Sequence, residues 1–154
     1  MHRRDREISE RAEMEALLTE APACRLGLCD GGQPYVVPVT FVYEEGAVYV
    51  HSSPEGEKIR ILRKNPRVCV EVDSIGRVIP GDDPCRWSMS YRSVIGQGTA
   101  KWVEEPGEKA RALAALVRKY SGQGDVEIPT GGLHGVAVIR IALGSMTGKL
   151  STGS

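Results

Sequence analysis

Aromatic residues are scarce in this chain, with one Phe, two Trp and five Tyr among 154 residues. That excludes a core built on ring clusters and favours one packed from Val, Ile, Leu and Ala, the material of strands and short helices. Net charge is missing as well, because 20 Lys and Arg balance 20 Asp and Glu. Global electrostatics therefore give no reason to expect nucleic acid or an anionic membrane as a partner. None of the four cysteines, Cys24, Cys29, Cys69 and Cys85, stands at C-x-x-C spacing, which argues against a zinc ribbon or a thioredoxin-type motif. Cys24, Cys29 and Cys69 lie in apolar, strand-like runs and read as buried, reduced thiols of a cytoplasmic protein. No apolar run is long enough to span a bilayer, and no apolar signal core follows the charged opening with His2 and Arg3. Gly96-Gln97-Gly98 lacks the third glycine and following helix of a dinucleotide fingerprint. A Gly-rich phosphate loop, a serine nucleophile elbow and a paired-histidine metal motif are all lacking.

What is present suits one globular domain over residues 1–154, with 41% apolar and 26% charged residues. Residues 9–21 predict a helix with Ser9 as N-cap and Met14, Leu17, Leu18 and Ala21 on one face, ended by Pro22. Strands are expected over Cys24 to Cys29, Tyr35 to Tyr43 and Ala47 to Ser52, joined by turns at Asp30-Gly31-Gly32 and Glu44-Glu45-Gly46. Pro34 and Pro38 lack an N–H, so the second strand should hold an edge segment or a bulge. Ser53-Pro54-Glu55 reads as N-cap, first position and acidic first turn of a helix that buries Ile59, Ile61 and Leu62 and stops at Asn65-Pro66. Val68, Val70 and Val72 alternate within a strand over Arg67 to Asp73, and 74–84 reads as a loop or irregular hairpin. A long strand over Arg86 to Glu104 bends at Gly96 and Gly98. A helix follows from Glu105-Pro106 to Tyr120, with Ala112, Leu113, Leu116, Val117 and Tyr120 inward. After a Gly-rich loop over 121–133, a final strand covers Val136 to Leu143. Six strands and three helices without a βαβ rhythm predict a mainly β fold: a small antiparallel barrel flanked by helices.

Three segments carry candidate chemistry. In His51-Ser52-Ser53-Pro54-Glu55-Gly56-Glu57-Lys58 a strand runs into a helix start, whose free N–H groups and partial positive charge suit an anion. Ser52 and Ser53 add hydroxyls, Lys58 an ammonium and His51 a further donor; the run reads equally as an ordinary capped helix with a solvated lysine. In Val39-Thr40-Phe41, the proline-broken strand leaves backbone groups that a flat heterocycle can use; an edge strand would look the same. Trp87, Arg92 and Ser93 mix large amphipathic and polar groups in the manner of a ligand wall or subunit interface, or of the exposed side of a strand. Arg25, in an otherwise apolar strand, calls for an anionic or carbonyl partner and joins the candidate ligand contacts. His134 stands alone.

Taken in order, these motifs resemble the pyridoxamine 5'-phosphate oxidase-like flavin-binding proteins, and within them the nitroimidazole-resistance group. The likeness is carried by Arg3-Arg4-Asp5-Arg6, Arg25-Leu26-Gly27-Leu28, Pro34 to Phe41, Val48-Tyr49-Val50-His51-Ser52, Gly56-Glu57-Lys58, Asn65 to Cys69, Tyr91-Arg92-Ser93-Val94 and Thr147-Gly148-Lys149. It implies a six-stranded antiparallel split barrel that forms a homodimer with FMN at the subunit interface. His51, Ser52 and Lys58 would hold the phosphate, while Val39, Thr40 and Phe41 would line the ring. Trp87, Arg92 and Ser93 would reach the site from the other subunit, and His51 would also serve the chemistry. The implied activity is reduction of a small-molecule electron acceptor such as a nitroaromatic compound. A flavin or haem carrier or sensor is the rival reading, and a deazaflavin carries a similar ring.

Overall fold

The structure is a computed structural model that describes residues 4–153, with residues 130 and 132 described by their backbone alone. Of the opening motif only Arg3 lies outside the described residues, as does His2, while Arg4–Arg6 form a 3-10 turn. Eight strands and three α-helices follow one another as β1 (Glu7–Ile8), α1 (Arg11–Glu20), β2 (Cys24–Asp30), β3 (Gln33–Val39), β4 (Val42–Glu44), β5 (Ala47–Ser52), α2 (Glu57–Lys64), β6 (Arg67–Ile79), β7 (Ser88–Trp102), α3 (Pro106–Ser121) and β8 (Ala137–Ser151).

All pairings are antiparallel, in the order β3-β2-β6-β7-β8-β5-β4, with β1 added to β8. The two outer strands of that path, β3 and β4, are consecutive in the chain and separated only by Thr40 and Phe41. The sheet therefore curls until its edges meet, which is the split barrel that the motifs imply. The strand count is eight, not six. The expected strand over Tyr35 to Tyr43 divides at Thr40-Phe41, where the chain passes from one edge to the other, and Glu7–Ile8 adds a short strand.

The core lies inside the curl. Leu26, Phe41, Val48, Val50, Val70, Val72, Ile139 and Ile141 are buried there with Leu17 and Leu18 of α1 and Ile59, Ile61 and Leu62 of α2. On α1, Met14, Leu17 and Leu18 recur at helical spacing and face this core. α3 packs instead on the outside, where Ala115 and Leu116 meet Val42, and Ala112 meets Val103 and Val138. Its start is well made: Pro106 occupies the first turn, and the Glu105 carboxylate accepts from the N–H groups of Gly107 and Glu108 at 2.8 and 2.6 Å. Gly122, at φ 68°, closes it in the left-handed conformation.

Further expectations differ from the structure: α1 starts at Arg11 with Glu10, not Ser9, at its N-cap position. α2 starts at Glu57, so Ser53 is not its N-cap. Gly56 precedes the helix at φ 132°, a conformation that side chains disfavour, and Ser53 Oγ accepts from Glu55 N within the preceding turn. β6 and β8 run past their expected ends to Ile79 and Ser151, because long cross-strand ladders with β7 hold polar residues in strand conformation. Val117 and Tyr120, expected inward, are exposed.

Candidate flavin site at the seam of the barrel

The geometry of the seam follows from the ladder between β4 and β5, which begins at Val42 opposite Tyr49. Thr40 and Phe41 connect β3 to that ladder, and His51 and Ser52 continue β5 past its last pair toward α2. Val39 is in turn paired with Cys24 at the start of β2. The crossing between the sheet edges and the end of β5, which leads into α2, are the two places that supply the candidate residues. His51 is exposed, Ser52 is buried and Lys58 is half-buried. Lys58 is the second residue of α2 and forms no ion pair among the described residues. Its neighbour Glu57 is engaged elsewhere: Arg60 hydrogen-bonds both Glu57 and Asp30 and holds their carboxyls below the usual range. The Glu57 carboxylate is thereby drawn toward Arg60.

Where β3 leaves the sheet, Phe41 loses its ladder partners, and α3 supplies replacements. Tyr120 Oη accepts from Phe41 N at 3.0 Å and lies 2.8 Å from Pro22 O and 3.2 Å from Phe41 O. Lys119 Nζ donates to Phe41 O at 3.0 Å and rests 3.7 Å above the Phe41 ring. Burial pushes the Lys119 ammonium below its ordinary pKa. Sequence reasoning missed both residues as seam ties: helical spacing assigned Tyr120 to the core, and nothing local marks an acceptor that lies across the fold.

Phe41 sits differently from Val39 and Thr40. Its ring is fully buried in the barrel core and its main chain is committed to α3, so the surface presented at the seam is that of Val39 and Thr40. Arg25 lies beside Pro38 at the end of β3, but its guanidinium is taken up by Asp73 at 3.0 Å and Glu71 at 3.6 Å. The anionic partner that an arginine in an apolar strand requires is therefore on β6.

Trp87, Arg92 and Ser93 stand apart from this place within one chain. His51 is opposite Val138, whereas Ser93 is opposite Lys149, which is roughly 35 Å further along β8 at about 3.3 Å per residue. Past Tyr91, where its pairing with β8 ends, β7 continues with β6 alone, and Ile75, Val78, Met89 and, just before β7, Trp87 are between 40% and 59% exposed. Val36 and Ile95 are exposed on the outer face of the sheet, where no helix packs among the described residues. An apolar arm and an open sheet face on one small protein are the marks of an interaction surface.

The residues at the seam fit a flavin phosphate. They offer hydroxyl, imidazole and ammonium donors. Trp102 Nε1 is buried without a hydrogen-bond partner among the described residues. Trp102 lies opposite Ile139, which is opposite Val50, so this unmet donor is at the Ser52 end of the barrel.

An antiparallel split barrel with a donor-rich seam defines a flavin-binding class of fold. The profile of the family described as Pyridoxamine 5'-phosphate oxidase matches residues 10–150, and the chain belongs to that family. It is similar, at 32% identity and a TM-score of 0.82, to the crystal structure of a candidate 5-nitroimidazole antibiotic resistance protein from Bacteroides thetaiotaomicron, with 94% of this chain and 86% of that one covered. An FAD-binding protein from Mesorhizobium loti matches at 26% identity and a TM-score of 0.72, over 96% of this chain and 98% of its own. Among curated proteins, an uncharacterized protein of Rhizobium meliloti is 32% identical over 65 residues, a match that spans 42% of this chain and 42% of that protein. No described helix is long and apolar enough to cross a membrane.

Proposed function

We propose that this protein is an FMN-dependent oxidoreductase that acts as a homodimer and reduces small electrophiles, nitroaromatic compounds among them. What supports the reading is the family barrel, with Val39 and Thr40 at the crossing between its sheet edges and His51, Ser52 and Lys58 at the end of β5 and the start of α2. In this reading Lys58 and the Ser52 hydroxyl grip the phosphate, and Val39 and Thr40 lie along the ring edge. His51, exposed near the end of β5, directs its imidazole at the reacting face and can hand a proton to the acceptor. The bound flavin supplies a reversible store of electrons. Trp87, Arg92 and Ser93 come from the second subunit, whose arm closes the pocket and covers the apolar residues that one chain leaves exposed.

The test is a flavin titration of the apoprotein followed by turnover. Wild-type protein should quench FMN fluorescence at one site per chain, and Lys58→Ala should weaken binding by about 1–3 kcal/mol, the range for a charge-assisted contact. The protein reduced under anaerobic conditions should be reoxidised by a nitroimidazole, and more slowly in His51→Ala. Unchanged affinity in Lys58→Ala removes the phosphate assignment, and a reduced protein that no acceptor reoxidises removes the enzyme.

A further inference from the structure

On the outer face of the sheet, where β6, β7 and β8 run side by side, Arg67, Lys101 and Arg140 line one open basin of about 550 Å³. No carboxylate lines it. Among the described residues none of the three cations forms an ion pair. Arg140 Nε donates to Tyr49 Oη at 3.2 Å, and that hydroxyl lies 3.3 Å from Glu108, so acidic charge reaches the cluster only through a phenol.

The ladder makes this arrangement costly when empty. Lys101 stands directly opposite Arg140, and like charges directly opposite destabilise an antiparallel pair. Arg67 is on the same face, opposite Thr99, the residue two places before Lys101. Between Gln97 and Gly98 the β7–β8 register shifts, leaving Gly144 unpaired as a bulge at the edge of the basin. Bulges of this kind mark places where a strand is re-aimed beside a functional site. Gly98 and Gly144 line the basin without adding a side chain to it. Three unpaired cations, polar Gln97 and Thr99, and these glycines are complementary to an oxyanion-bearing ligand that sits against the backbone.

We propose that this basin binds a phosphate-bearing small molecule with at least two negative charges, separate from the phosphate grip at Lys58. Its place in the fold sets it apart from the seam. Arg140 is two residues along β8 from Val138, which is opposite His51, and Tyr49, which holds Arg140, is two residues from His51 on the same face of β5. α3 lies over Val138 between the two, with Ala112 packed on it, so the basin and His51 are separated on this face.

The experiment uses the purified protein with whatever cofactor it carries, and inorganic pyrophosphate as the probe, with sulfate at matched ionic strength as the control. Calorimetric titration should show pyrophosphate binding that weakens with salt and exceeds sulfate binding. Arg67→Gln, Lys101→Gln and Arg140→Gln should each weaken pyrophosphate by roughly tenfold, the scale of one charge-assisted contact. ADP in place of pyrophosphate should follow the same pattern if the ligand is a nucleotide. The assignment is overturned by equal binding of sulfate and pyrophosphate, or by loss of binding in Lys58→Ala alone. It is overturned equally if the three substitutions alter subunit association on gel filtration while pyrophosphate binding stays intact. Because the flavin site is titrated separately with FMN, failure of this proposal and failure of the flavin reading are distinguishable.

Discussion

A subunit-mixing experiment follows from the separation of the two halves of the candidate site. Lys58 belongs to the seam, and Arg92 to β7 at the base of the arm, where the partner residues on β8 lie far from those of β5. If a pocket is built from the seam of one chain and the arm of the other, Lys58→Ala and Arg92→Ala each damage every site in their own homodimers. In a mixed dimer, one pocket carries both substitutions and the other carries neither. Equal mixing through unfolding and refolding gives about half mixed dimers, hence roughly a quarter of all pockets intact. Each parent should bind FMN roughly 5- to 150-fold more weakly, from about 1–3 kcal/mol per lost charge-assisted contact. The mixture should therefore show a tight class of sites at about a quarter of the wild-type stoichiometry, read by fluorescence titration. Both variants should fold, since Arg92 is exposed, Lys58 is half-buried, and neither forms an ion pair among the described residues. No tight class above the parents would refute a pocket shared between subunits.

Tyr120→Phe should cost about 1–3 kcal/mol in urea unfolding, because Phe41 N loses its acceptor at the seam; a null effect would show that the tie does not hold the strand crossing. Burial pushes the Cys24 thiol up to about 12, whereas Cys85 is exposed. An alkylating reagent near neutral pH should therefore label Cys85 first and Cys24 only on unfolding, as read by peptide mass spectrometry. Burial, with the neighbouring Asp73 adding to it and Arg25 opposing, holds the Glu71 carboxyl above its usual range. The folded state then keeps this proton where the unfolded chain has released it, so the contribution is present at acid pH and is lost as pH rises through the elevated value. Wild type minus Glu71→Gln should show that fall just above the ordinary glutamate range in chemical denaturation at stepped pH, and a flat difference would contradict it. Ile61→Ala, at a side chain that is 1% exposed, should cost about 2–5 kcal/mol, measured by the same denaturation.

Local pattern alone determined a good part of this protein. The apolar spacing of Met14, Leu17 and Leu18, the alternation of Val68, Val70 and Val72, the Pro106 helix start and the turns at Gly31 and Gly46 all appear in the structure near their expected places. The order of motifs was enough to imply the family and the split barrel, because each motif is a run of neighbours whose chemistry is legible in one dimension. The tertiary structure alone decided what depends on register between distant segments. It put the Phe41 ring inside the barrel core and gave Tyr120 a backbone to hold. It also extended β6 and β8 along β7, and it brought Arg67, Lys101 and Arg140 to one basin from three strands. A strand's period states which residues share a face, but which faces meet, and where a curled sheet closes, is fixed by pairings between segments that the chain separates widely.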